Sequence, residues 1–223
     1  MKRLIKCSIR YLKSVYWYIQ TLVYSKSYQT DESYENVYVI CPGPSLSDFE
    51  KRDFPKNTII IFVNHAAKIS NEFNSDKLLF TADTTRAIEC LEYESSLKKI
   101  ILIGHFFQLK SRVIKNYEFI VPMVTFHLKY GIVGKPTKEI TYQNLGGNYG
   151  VGFGSFLNAL SFSIRFKPKT LNLVGCDFGE KKDNKYAFNF KGINSNTPFS
   201  DIFNQYLRLE KILIEKGIII NRL

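Results

Sequence analysis

Seven short apolar runs, each ending at a polar or glycine-containing corner, constrain this chain more than any other feature. They are Val37–Ile40, Thr58–Val63, Lys77–Phe80, Lys99–Ile103, Glu118–Val121, Thr170–Val174 and Gly217–Ile220. Most are continuously apolar, as strands buried on both faces of a parallel sheet are. Helix-compatible segments separate several of them. Arg86–Leu97 and Ser155–Phe166 are two, and Ile202–Lys216 is the clearest. Strand and helix in alternation predict a doubly wound α/β domain with a mostly parallel sheet over 37–223. Such sheets bind ligands at the carboxyl ends of their strands. Ser45, Asn64, His65, Asp83 and Asp177 all fall there.

The 223 residues are enough for one such domain with a real core. Ahead of it, residues 1–26 place Leu4, Ile5, Ile9, Leu12, Val15, Ile19 and Leu22 at helical spacing, with Lys2, Arg3, Lys6, Arg10 and Lys13 mostly between them. The apolar stretch is too short to span a bilayer, and no small-residue cleavage site follows. Two readings fit: a basic amphipathic helix lying on an anionic inner-leaflet surface, or a helix docked on this domain or on another subunit of a homo-oligomer. The polar segment 25–36 then serves as a linker.

The net charge of +11 favours acidic partners. Beyond residue 30 the lysines are scattered, so nucleic acid is not indicated. The four cysteines, Cys7, Cys41, Cys90 and Cys176, form no CxxC pair and no zinc spacing with histidine. The expectation is a cytoplasmic protein with free thiols, no cofactor and no metal.

Three segments carry chemistry. Cys41-Pro42-Gly43-Pro44-Ser45 follows the first run. Its glycine permits close backbone approach, and a helix start near Leu46 would offer N–H groups to an anion. Ser45 would cap that helix or bond a phosphate; a tight turn with a capped helix would look the same. The loop is neither GxGxxG nor a P-loop. Asn148–Ser155, containing Gly150 and Gly154, is a second glycine-rich loop leading into a helix, suited to ribose or phosphate. Gly175-Cys176-Asp177-Phe178 follows the sixth run, where Asp177 would orient a loop or accept from a sugar hydroxyl. Tyr186, in Tyr186-Ala187-Phe188, would donate to a phosphate oxygen.

PGPSL, a strand ending at Asn64, a glycine-rich loop before a helix, GCDF and then YAF occur in the order that bacterial sialyltransferases of glycosyltransferase family 42 use. The resemblance extends over about residues 37–223. It is also similar to Rossmann-like proteins with GxGPS loops, among them Kdo-transferring enzymes and MptE-like pterin pyrophosphokinases. It implies a Rossmann-like, metal-independent transferase moving an acidic sugar (sialic acid, Kdo or similar) from a CMP donor to a bacterial glycan or glycolipid. By position, Gly43, Pro44 and Ser45 would meet the CMP phosphate, Asn64 the cytidine, Asn148, Gly150, Gly154 and Ser155 ribose or phosphate, and Tyr186 the departing CMP.

Three departures stand out: Pro42 replaces the family asparagine, Gly179 a phosphate-binding tyrosine, and Asn196-Thr197-Pro198 the segment with the catalytic histidine. The base must then come from Asp83, His65, His105 or His127, with Asp83 best placed. Two other readings stay open: an ATP-dependent pyrophosphokinase needing magnesium, and a nucleotide-binding, membrane-associated protein with a decayed site.

Overall fold

The computed structural model describes residues 30–49, 54–93, 97–103, 116–122, 142–146, 154–178 and 199–223. The N-terminal segment 1–29 lies outside them, and with it the expected amphipathic helix. Among the described residues no helix is long and apolar enough to cross a membrane.

Among the described residues seven strands form one sheet: β1 (Asn36–Ile40), β2 (Thr58–Val63), β3 (Asp76–Thr81), β4 (Lys98–Ile103), β5 (Phe119–Pro122), β6 (Thr170–Val174) and β7 (Ile219–Arg222). Their order is β5-β4-β3-β2-β1-β6-β7, and every neighbouring pair is parallel. The chain therefore builds outward from β1 to β5. It then returns to lay β6 against the other side of β1. A doubly wound sheet opens its ligand crevice where the winding reverses, here between β1 and β6.

The central strands β1, β2, β3 and β6 bury residues on both faces with the two-residue period of a pleated ribbon. Val37, Val39, Ile59, Ile61, Leu78, Phe80, Leu171 and Leu173 face one core. That core is closed by α2 (Gly154–Ser163) and α3 (Phe199–Glu215), which contribute Leu157, Leu160, Phe162, Tyr206, Leu209 and Leu213. Ile40, Ile60, Phe62, Leu79, Ile101 and Val174 face the other core. It is covered by α1 (Thr84–Glu89) and by 3-10 segments at Pro44–Asp48, Asn64–Glu72 and Cys90–Glu92. Asn172, buried on β6, accepts a hydrogen bond from Asn221 Nδ2 at 2.9 Å and fixes the register of β7.

Three local expectations change. The last strand starts at Ile219 rather than Gly217 because the glycine closes α3. At φ +80 it donates its N–H to Ile214 at 2.9 Å, and Ile218 donates to Leu213 at 3.1 Å, a glycine-terminated helix end. The helix expected over 86–97 is α1 plus one 3-10 turn and ends by Tyr93. Cys90 and Tyr93 turn inward there, toward His65. The helix expected from Leu46 begins as the 3-10 turn Pro44–Asp48, with Gly43 rather than Ser45 at the cap.

Candidate functional site

Beyond their last sheet bonds, β1 and β6 stay zipped together. Cys41 N–H donates to Val174 at 2.8 Å and Gly43 N–H to Gly175 at 3.0 Å. Ser45 N–H donates to Asp177 Oδ2 at 3.0 Å. The approach is so close that a Cβ on Gly43 would lie 2.2 Å from the Gly175 carbonyl oxygen and 2.3 Å from Asp177 Oδ2. Gly175, at φ +68, would place a Cβ 2.1 Å from the Cys41 carbonyl oxygen. Asp177 thus ties the Ser45 backbone to the β6 loop.

This packing corrects the expected anion seat. Gly43 and Ser45 have spent their N–H groups on the β6 loop, Pro44 has none, and Leu46 donates back to Gly43 at 3.0 Å. The helix start therefore offers no N–H to a phosphate in this conformation. What Ser45 presents is its hydroxyl.

The thiols lie beneath the clamp. Cys41 is buried, and Cys176 packs on the same face of the sheet. Burial and the Cys41 side chain push the Cys176 thiol up. Cys41, Cys90 and Cys176 are all free.

Asn64 follows β2, one strand from β1. Its backbone is left-handed, φ 52, a conformation asparagine tolerates better than most residues. Its side-chain Oδ1 is buried and has no hydrogen-bond partner. Next along the edge, Asp83 follows β3 and is exposed. It caps α1 through Oδ1, accepting from Thr85 at 2.8 Å and Arg86 at 3.3 Å. Ser155 is buried in the first turn of α2, where its Oγ accepts from Ala82 N–H at 3.0 Å. That bond ties α2 to the carboxyl end of β3, with Gly154 exposed beside it.

His65 sits deeper. Its Nε2 lies 2.8 Å from Glu89 Oε2 and its Nδ1 2.7 Å from the Tyr93 hydroxyl. A carboxylate only accepts, so Nε2 carries the proton and Tyr93 donates to Nδ1. Burial lowers the His65 pKa and outweighs the pull of Glu89. Burial also pushes the Tyr93 hydroxyl up to about 12. Burial works against the Glu89 carboxylate too, yet Arg86 at 2.5 Å and His65 hold it below its ordinary value.

The structure thus aligns Asp83, Asn64, Ser45 and Asp177 along one carboxyl edge, on β3, β2, β1 and β6 in turn. Asn148, Gly150, Tyr186, His105 and His127 lie outside the described residues. Sequence reasoning missed Arg222, the last residue of β7. Its guanidinium carbon lies 5.4 Å over the Phe178 ring, 5.9 Å over Phe203 and 6.0 Å over Tyr206. No spacing rule links it to GCDF; only the pairing of β6 with β7 does. Among the described residues no group of three His, Cys, Asp or Glu could hold a metal ion.

Solved sialyltransferases share this architecture. Sialyltransferase CstII from Campylobacter jejuni, solved with cytidine-5'-monophosphate, is similar over 86% of this chain and 81% of its own, with a TM-score of 0.50 and 16% identity. The monofunctional alpha-2,3-sialyltransferase Cst-I from the same organism matches 89% of this chain and 79% of its own, at 14% identity and a TM-score of 0.42. No protein-family model matches the sequence, and no curated protein does. What the chain shares with CstII is the fold that the PGPSL and GCDF resemblance implied.

Two outcomes follow from this geometry. Gly175→Ala meets both a positive φ and a backbone clash, so it costs about 2–3 kcal/mol in urea unfolding. Gly217→Ala, at φ +80 with nothing within 4 Å of the added Cβ, costs about 1 kcal/mol. Equal losses would contradict the clamp. For His65, the lowered folded pKa means that the unfolded chain binds the proton first. Stability is then retained above the unfolded value of about 6.5 and lost as pH falls below it, by at most about 1.4 kcal/mol per pH unit. His65→Gln removes that slope between about pH 7 and 5; an unchanged slope contradicts the buried neutral imidazole.

Proposed function

We propose that this chain is a glycosyltransferase that takes an acidic sugar from a CMP donor bound over the paired β1 and β6 loops. One observation carries the reading: Asn64 Oδ1, buried and unpartnered at the carboxyl edge, one strand from the crevice. An unsatisfied buried acceptor costs about 1–3 kcal/mol, so it calls for a donor, which we assign to the ligand. A carbonyl oxygen accepts from an amino group. Cytosine carries such a donor where thymine or uracil presents a carbonyl, so Asn64 would favour cytosine over uracil. The CMP complex of CstII supports the same choice. Adenine also carries an amino group, which makes ATP the decisive competitor.

In the transfer, the acceptor hydroxyl attacks the anomeric carbon and the bond to the phosphate oxygen breaks. CMP leaves with that electron pair. We assign the hydroxyl proton to Asp83, which is exposed at the end of β3. His65 is already engaged at both ring nitrogens by Glu89 and Tyr93. Gly43, Pro44 and Ser45 shape the floor under the donor, and Asp177 holds them in place. The acceptor in this reading is a lipid-linked glycan at the inner membrane face, approached through the basic segment 1–26.

CMP should raise the melting temperature by several degrees, with UMP and ATP doing less, and Asn64→Ala should erase the CMP preference. Asp83→Asn should keep CMP binding and lower turnover of CMP-sialic acid or CMP-Kdo by about a hundredfold or more. Turnover should be faster with glycolipid in anionic vesicles, and removing residues 1–26 should abolish that gain. A melting shift from ATP with none from CMP would sink the proposal.

A further inference from the structure

We propose that His65, held between Glu89 and Tyr93, is the positioning residue that aims Asn64 at the nucleotide base; this rests on the CMP-sugar reading above. The first ground is that Asn64 needs outside support. Among the described residues no donor reaches its Oδ1, so no hydrogen bond sets the direction of that atom. Its direction follows from the backbone, which is left-handed, φ 52. Asparagine tolerates that conformation without preferring it, and such a backbone persists where its surroundings enforce it.

The support is the next residue. Asn64 and His65 open the 3-10 segment Asn64–Glu72 that follows β2. His65 is buried, and both ring nitrogens are anchored outside that segment. Nε2 donates to Glu89 Oε2 at 2.8 Å, and Nδ1 accepts from the Tyr93 hydroxyl at 2.7 Å. Cys90 Sγ lies 4.0 Å from Nδ1. These partners span the end of α1 and the turn that follows it. Arg86 braces Glu89 from one turn earlier at 2.5 Å, and Asp83 caps the other end of α1. One six-residue helix therefore steadies both Asn64, through His65, and Asp83, the proposed proton acceptor.

The second ground is the charge state that this anchor requires. Among the described residues, the titratable and charged groups around His65 are Glu89, Arg86 and Asp83 from α1 and its cap, and Cys90 and Tyr93 from the turn. On the β3 side, Lys77 bonds the Ser70 and Phe73 carbonyls at the far end of the segment. Burial favours the neutral imidazole and lowers its pKa despite Glu89. Only the neutral ring accepts at Nδ1. A second proton makes Nδ1 a donor, turns the Tyr93 hydroxyl away and adds a cation beside Arg86. The anchor then loosens, and Asn64 with it. Base binding is thus full above the folded His65 pKa and declines below it, by at most about tenfold per pH unit.

The test is a double-mutant cycle for CMP binding, by calorimetry on the full chain. Asn64→Ala and His65→Ala should each weaken CMP by about tenfold, and the double variant should be no weaker than Asn64→Ala alone. Tyr93→Phe removes one hydroxyl and should weaken CMP by about threefold, again with no further loss in the Asn64→Ala background; it supplies the cycle should His65→Ala not fold. The pH profile is read with cytidine, which lacks the phosphate proton that leaves near about pH 6. Wild-type affinity should fall between about pH 7 and 5. His65→Gln can donate to Glu89 and accept from Tyr93 but takes no proton. It should recover part of the affinity lost in His65→Ala and show a flat profile. Additive losses in the cycle, no loss on His65→Ala, or a His65→Gln profile as steep as the wild type would each overturn the role of His65 and leave the CMP-sugar reading intact. If the wild-type chain binds neither CMP nor cytidine, the CMP-sugar reading fails first and takes this inference with it.

Discussion

The glycine-to-glycine contact between the β1 and β6 loops sets the geometry of the whole edge. Parallel strands normally part at their ends, where the chain turns into a crossover. Here the pairing continues past Ile40 and Val174 through Cys41, Gly43 and Gly175. Neither Gly43 nor Gly175 has room for a Cβ. The crevice at the winding reversal is therefore closed at its floor by backbone, and side chains must do the recognising. Asn64, Asp83 and Asp177 stand at that edge, while the turn at Gly43–Leu46 keeps no N–H for a phosphate.

Charge at the site follows from the same constraint. Asp177 secures the turn by accepting from Ser45, which leaves a carboxylate where an acidic donor is proposed to lie. A cradle of Phe178, Phe203 and Tyr206 positions a guanidinium one strand further on. The opposite core isolates His65 with Glu89 and Tyr93, a hydrogen-bonded set that anchors α1 against the 3-10 segment after β2.

Much of this was legible in the sequence. Uninterrupted runs such as TIIIFV announce strands buried on both faces, and the structure places β2 at the predicted Thr58–Val63. The corners after those runs announce the carboxyl edge, because polar residues there have no core to enter. Other features depend on contacts across long separations. The 3-10 turn at Pro44 replaces a capped helix because Asp177, 132 residues away, claims the Ser45 N–H. The helix from Thr84 gives way to a 3-10 turn at Cys90–Glu92, where Tyr93 reaches back to His65. Arg222 looks like an ordinary terminal arginine until the pairing of β6 with β7 brings it over Phe178.

We propose that a cytidine nucleotide occupies the carboxyl edge at the β1–β6 reversal. A crystal structure of the full chain grown with CMP tests it most directly. The nucleotide should lie over the paired loops 41–45 and 175–178, with the cytosine amino group donating to Asn64 Oδ1. CMP bound away from that edge, or a cytosine that leaves Asn64 Oδ1 unsatisfied, would contradict it.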